Sequence, residues 1–482
     1  VKAVTGWSAT PGRTTSGFDA GRTAVGSAPP RGADRRLWAV CAAFVLTAAL
    51  LVPLTLPLGW DERVYTSRFG PHGPATPFSA PRTRGVPLLE LPIASWNGSE
   101  LLLRIWLLLL AGVALYLGFR PWLRALPRPS AGWVAAALYG SGWIALFYAN
   151  SAMPNHYTAM GAVAAVGCFV RRRPCHAGIV AGLAVVTLMR PNDGAFVAAP
   201  LFLAALLVPA WRGPGRLLSV AGGVAVGALP WVVEAHLRFG GVGRRLAEAS
   251  DAQGGTRPVL SLAANLTSLD GPLLCRPCAG DGVWWAAVEW WPLLVLFTAL
   301  GMWATRRAGS PVAPLWLAVA VAASATAQYF FLVAYAAPRF LLPGYALLAV
   351  PAALGLLAAA DRARRSHATA AALALVLAFH LAVQLGLAHT HGDIQQRARE
   401  DWRRVTTVLR EHGVRPPCAL GGSGSAIPVA HLAGCTTAEA DARTRADALV
   451  LRGGEAPRWA RDWPRYPVPD TYRPPWSVAV RP

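Results

Sequence analysis

Two adjacent carboxylates, Asp61 and Glu62, stand in the run Gly59-Trp60-Asp61-Glu62-Arg63, directly after the first long apolar stretch of the chain. A carboxylate at the edge of a bilayer can take a proton from an attacking hydroxyl as a general base. It can also help to hold a divalent cation, or simply solvate a helix end. Residues 80–96 then place Arg82 and Arg84 ahead of an amphipathic stretch carrying Leu88, Leu89, Leu91 and Trp96. Such a stretch lies in the membrane interface, and two arginines beside it suit a phosphate. Three further polar turns interrupt apolar segments: Met153-Pro154-Asn155-His156-Tyr157, Met189-Arg190-Pro191-Asn192-Asp193, and Tyr335 to Pro343 around Arg339. His156, Asn192, Asp193 and Tyr335 are the candidate substrate-binding residues of these turns. An ionisable group at membrane depth is costly, which favours a functional over a snorkelling Arg190. Arg190 and Arg339 can converge on one phosphate or pyrophosphate, whose oxygens match the guanidinium fork.

The elements that must position these residues are membrane-spanning helices. Of 482 residues, 54% are hydrophobic and only 14% are charged, against roughly 25% charged in a soluble domain. Apolar segments fall at 37–58, 99–118, 132–149, 156–170, 176–189, 194–211, 217–236, 284–303, 312–335, 340–359 and 368–388, about eleven spans. Spans two, four, six, eight and ten all end in arginine clusters, such as Arg171-Arg172-Arg173 and Arg362 to Arg365. Arginines accumulate on the cytoplasmic side, so the N-terminus is expected inside and the C-terminus outside. The net charge of +21 is spread over these short clusters, not gathered in one stripe, which argues against nucleic acid as a partner.

Residues 1–36 read as a disordered cytoplasmic tail, 59–98 and 237–283 as outer loops, and 389–482 as a small extracytoplasmic α/β domain. In that domain a helical periodicity over 393–413 (Ile394, Trp402, Val405, Val408, Leu409) is followed by β-like runs at 418–420, 448–451 and 476–480. The fold class is therefore mainly α: a polytopic helix bundle with a small C-terminal α/β domain. Four of the seven cysteines (Cys275, Cys278, Cys418 and Cys435) fall in segments placed outside, where disulfides persist. Cys418–Cys435 is a plausible bridge, and Cys275 and Cys278 form a tight bridge, a metal half-site or two free thiols. Asp61 and Glu62 are the obvious metal-ligand material, so no cofactor is assigned and a divalent metal stays an open alternative. The run Gly421-Gly422-Ser423-Gly424-Ser425 is too generic to assign.

Asp61-Glu62 after the first span, the amphipathic first loop, Arg190-Pro191 after span five and Tyr335–Pro343 before a late span together resemble the GT-C superfamily of membrane glycosyltransferases, in its bacterial mannosyltransferase-like (PMT-type, family-39-like) branch. The resemblance covers residues 37–388, mostly as architecture. It implies transfer of a sugar from a polyprenyl-phosphate donor to a glycan or protein acceptor outside the plasma membrane of a bacterial cell. It implies Asp61 as base or acceptor-orienting group with Glu62 beside it, and Arg82, Arg84, Arg190 and Arg339 on the donor phosphate. The competing reading is a non-enzymatic membrane protein: a transporter, a flippase or a partner in envelope assembly. Its ionisable groups belong near span midpoints.

Overall fold

The computed structural model describes residues 31–255, 257–273, 284–438, 446–472 and 475–482. The expected tail therefore lies outside the described residues up to residue 30, as do Cys275 and Cys278; residues 31–36 are already helical.

The first helix, α1 (Arg31–Leu51), is followed by the short helices α2 (Trp60–Thr66) and α3 (Gly85–Ala94). Next come α4 (Glu100–Phe119), α5 (Trp122–Ala125), α6 (Ser130–Gly140), α7 (Trp143–Tyr148), α8 (Asn155–Phe169), α9 (His176–Met189) and α10 (Pro191–Leu207). The second half holds α11 (Pro214–Phe239), α12 (Val242–Ala252), α13 (Leu262–Thr267), α14 (Trp290–Arg307), α15 (Ala313–Phe331), α16 (Leu342–Ala363), α17 (His367–Glu411) and α18 (Ala426–Ala433). Among the described residues, six helical stretches, beginning at Glu100, Pro214, Trp285, Ala313, Pro338 and His367, are long and apolar enough to cross a membrane.

Several boundaries differ from the sequence expectation, each for a local reason. The first span ends at Leu51 instead of residue 58, because Pro53 and Pro57 cannot continue the hydrogen-bond ladder. The third breaks into α6 and α7 at Ser141-Gly142. Part of the loop expected at 237–283 is helical, as α12. The boundary expected at residue 389 is not a break. Residues 367–411 form one helix of 45 residues, roughly 68 Å long at 1.5 Å per residue. No proline interrupts it, and it outreaches a hydrocarbon core of roughly 30 Å. The same helix thus packs on the bundle and carries the C-terminal domain.

Close packing within the bundle depends on small residues. Where α14 crosses α16, a Cβ on Gly301 would lie 1.9 Å from the Pro351 carbonyl oxygen, and one on Gly355 would lie 2.0 Å from that of Phe297. Backbones approach this closely only where side chains are absent.

The C-terminal domain is a five-stranded sheet in the order β2 (Thr436–Thr437), β1 (Ala419–Gly422), β3 (Ala448–Arg452), β5 (Trp476–Val480), β4 (Arg465–Val468). β1 runs parallel to β2 and β3, while β5 is antiparallel to β3 and β4, with Val450 opposite Val478. Val405, Val408 and Leu409 of α17 pack against Leu420, Val450 and Val478 of the sheet and against α18. Cys418 and Cys435, at the starts of β1 and β2, are joined by a disulfide across a 17-residue separation. Closing a loop of that size is worth ~3 kcal/mol through the unfolded chain. Cys418→Ser is expected to lower the unfolding temperature of this domain, as is reduction of the wild type; equal unfolding temperatures with and without reductant would contradict it.

Candidate functional site

The short helix α2 builds the site. Gly59 caps it, and the carboxylate of Glu62, three residues on, accepts the Gly59 N–H at 2.6 Å, the return half of a capping box. Neighbouring helical residues point about 100° apart. Asp61 and Tyr65, four apart, face a cavity of about 890 Å³, while Glu62 turns the other way into the protein.

Three arginines from three separate segments border the same cavity. Arg82, from the loop before α3, donates from Nη2 to Asp61 Oδ1 at 2.7 Å. Its guanidinium lies 5.1 Å from the ring centres of both Trp60 and Tyr65, within cation–π range. Arg339, in a 3₁₀ turn before α16, places Nη2 3.4 Å from Asp61 Oδ2. Its Nη1 donates to the Tyr148 hydroxyl and the Pro272 carbonyl. Arg190 precedes Pro191 and is extended, φ −152° and ψ 98°, as a residue before proline must be. That kink between α9 and α10 turns the arginine toward the cavity. It is held by Asp193, with Nε 3.0 Å from Oδ2, and by the Phe340 ring at 4.8 Å. Asp193 is buried beneath the wall, where it accepts hydrogen bonds from Gln328 and Tyr329.

Asp61 is 33% exposed. Burial pushes its carboxyl upward, but Arg82 and Arg339 outweigh this and hold it below the usual carboxylate range. The described cavity wall thus carries one carboxylate, Asp61, paired with two of its three arginines, while the third pairs with Asp193 beneath the wall; this arginine-rich wall suits an anion. Both Asp61 oxygens face guanidinium groups, and the described residues contain no cluster of three His, Cys, Asp or Glu side chains able to hold a metal.

The structure brings together Asp61, Arg82, Arg190, Arg339, Asn192 and Tyr335, all on one cavity. Other expected members lie elsewhere. Glu62 is 3% exposed and is saturated by Arg104 (3.2 and 3.3 Å), Arg399 (3.0 Å) and the Ala152 N–H (2.9 Å). Its carboxylate does not line the cavity. Arg84 pairs with Glu234 at 2.5 Å and faces a separate groove with Leu237 and Arg238. His156 is buried inside the bundle, bonded through its ring nitrogens to the Tyr139 hydroxyl and the Ala111 carbonyl. Its neighbour Asn155 reaches the cavity instead.

Two positioning arginines were not anticipated. Arg104 is fully buried within α4 and bonds the Leu56, Pro57 and Asn150 carbonyls as well as Glu62. An arginine inside the run Leu101 to Leu110 was a readable signal. Arg245 of α12 donates to the Ala80, Arg82 and Trp231 carbonyls and to Glu234, pinning the loop that carries Arg82. Arg245 stands beside Arg244 in a polar segment with Glu248 and Asp251, where an arginine is ordinary, and gave no such signal.

The helix bundle with short helices at its rim and a C-terminal sheet domain is a fold that the chain shares with solved structures. The chain is a multi-pass membrane protein. Two solved structures illustrate the likeness. One is ArnT from Cupriavidus metallidurans bound to undecaprenyl phosphate: TM-score 0.59, 13% identity, covering 92% of this chain and 97% of that one. The other is the oligosaccharyltransferase AglB from Archaeoglobus fulgidus, in complex with an inhibitory peptide and a dolichol-phosphate: TM-score 0.50, 13% identity, covering 86% of this chain and 69% of that one. At such identity the likeness is one of fold. No protein-family model and no curated protein sequence matches the chain.

Proposed function

We propose that this protein is a glycosyltransferase that moves a sugar from a polyprenyl-phosphate donor to an extracytoplasmic glycan or protein acceptor. In this reading the chain spans the bacterial plasma membrane about eleven times, N-terminus inside, with the cavity and the C-terminal domain outside. The observation that carries it is the single cavity in which Asp61 faces arginines from three separate segments. Both solved structures of the same fold hold a polyprenyl phosphate, which supports the same class of ligand here. A transporter would distribute ionisable groups along a path through the spans; here Asp61 and three arginines gather on one cavity.

The chemistry follows from the wall. The acceptor's hydroxyl oxygen attacks the anomeric carbon of the sugar. The bond from that carbon to the phosphate oxygen breaks, and polyprenyl phosphate leaves with the electron pair. Asp61 takes the hydroxyl proton. Arg82, Arg190 and Arg339 stabilise the charge that grows on the departing phosphate. Trp60, Tyr335 and Phe340 give the cavity aromatic surface for a sugar ring.

Undecaprenyl phosphate, presented to the full chain in nanodiscs, is expected to bind. A charge-assisted hydrogen bond is worth about 1.5–3 kcal/mol, so Arg190→Gln and Arg339→Gln should each weaken binding by roughly 10–100-fold. Arg84→Gln, outside the cavity, should leave it near the wild-type value. Unaltered affinity in both cavity variants would contradict the assignment.

A further inference from the structure

The helix that carries Asp61 has seven residues, too few to hold its shape or direction alone. Tertiary contacts must orient it, and several of them come from the far end of the sequence. Trp60 Nε1 donates to the Gly424 carbonyl at 2.8 Å, across 364 residues. Arg399, on α17, donates from Nη1 to the Pro57 carbonyl at 2.7 Å and to Glu62 at 3.0 Å, so it grips the chain on both sides of the helix start. It passes so close to Gly59 that a Cβ there would meet its guanidinium carbon at 3.0 Å. Arg63 meets the His431 ring at 3.2 Å. Residues 59, 60, 62 and 63 thus each touch α17 or the C-terminal domain; Trp60 also lines the cavity beside Asp61, and Glu62 and Arg63 also pair with Arg104 and Glu100 of α4.

The contact through Trp60 continues into the site. The ring of Trp60 lies under the guanidinium of Arg82, and Arg82 holds Asp61 at 2.7 Å. The carbonyl that fixes Trp60 belongs to the turn Ser423–Ser425 directly after β1, which is itself fixed: the Ser423 N–H donates to the Val450 carbonyl of β3, and the Ala426 N–H returns to the Ser423 carbonyl.

We propose that the C-terminal domain sets the geometry of the reacting carboxylate, with Trp60 and Arg399 as positioning residues that relay the Ser423–Ser425 turn and the α17 rod to Arg82 and Asp61. The proposal rests on the glycosyl-transfer reading of the cavity. It gives the outer domain a role in the reaction itself, separate from any acceptor it binds.

The test uses the full chain in membranes of its native host, supplied with their own polyprenyl-phosphate-linked sugar, and follows transfer as a function of pH. Trp60→Phe keeps the aromatic ring and removes the N–H to Gly424. Arg399→Lys keeps the charge and removes the two-acceptor fork. A hydrogen bond of about 0.5–1.5 kcal/mol predicts a loss of roughly 3–10-fold in transfer for each. A loosened Arg82 depresses the Asp61 carboxyl less, so the acidic limb of the pH profile moves to higher pH, with the thermal unfolding midpoint of Trp60→Phe unchanged. A purely structural role would lower the amount of active protein and leave the limb in place. Arg461→Ala, exposed in the same domain, should change neither rate nor profile. Wild-type rates and profiles in both Trp60→Phe and Arg399→Lys, with Asp61→Asn inactive, overturn the proposal and leave the site assignment standing. Full transfer by Asp61→Asn overturns the site assignment and this proposal with it.

Discussion

Asp61→Asn is expected to reduce sugar transfer by about 10²–10⁴-fold, the usual contribution of a general base, while the protein binds undecaprenyl phosphate at least as tightly as the wild type. The two effects have one origin. In the free site Asp61 is the counter-charge of Arg82 and Arg339. Asparagine removes the base and also removes the carboxylate that competes with phosphate for those two arginines. The side chain is one-third exposed, so the change should cost little stability. Because its carboxyl is held below the usual carboxylate range, the base is ionised throughout the neutral range, and transfer should fall only on the acidic side. Parallel loss of binding and transfer would mean that Asp61 supports the fold of the cavity, not the proton transfer.

Glu62→Ala, one residue away, is expected to do the opposite: to unfold the rim of the bundle before any chemistry can be measured. Glu62 is the common partner of Arg104 and Arg399, whose side chains are 0% and 12% exposed. Removing one member of a buried ion pair leaves an uncompensated charge and costs about 3–5 kcal/mol. Burial works against its ionisation, yet Arg104 and Arg399, with the N–H groups of Gly59 and Ala152, bring its carboxyl from 4.5 down to about 2. A depressed carboxyl stabilises the fold fully above its unfolded value and loses that contribution as the pH falls through the folded one. The wild type should therefore lose stability between about pH 4.5 and pH 2, and the variant should lack that portion of the acid transition. Thermal unfolding in detergent, followed against pH, measures both. A variant as stable as the wild type but unable to transfer sugar would return Glu62 to the chemistry.

The contrast between these two neighbours marks how far the sequence alone reaches. That a carboxylate pair follows the first apolar segment is visible in the letters. Which of the two faces the cavity depends on the rotation of a seven-residue helix, and that rotation is fixed by Trp60, Arg63 and Arg399 through partners up to 368 residues away. Arg190 and Arg339 were legible because they break the charge pattern of the loops, and both reach the cavity. Arg84 breaks the same pattern, yet it turns away to Glu234, a carboxylate whose proximity no spacing reveals. His156 belongs to the right turn, but it sits one position past Asn155 on a helix, and 100° of rotation sends it into the core. Arg104 could have been read from its place inside an apolar helix. The bundle was legible as a set of apolar segments; the continuity of α17 was not, because the polar residues 389–411 signal solvent exposure and not the end of a helix.

The most direct measurement of the central claim is the structure of the full chain in nanodiscs with undecaprenyl phosphate added, determined by cryo-electron microscopy. The phosphate is expected among Arg82, Arg190 and Arg339, with at least one of the two guanidinium groups now on Asp61 turned onto phosphate oxygens and the Asp61 carboxylate freed toward the cavity. Phosphate density in the groove beside Arg84 and Arg238, with Arg82 and Arg339 still bound to Asp61, would contradict the account.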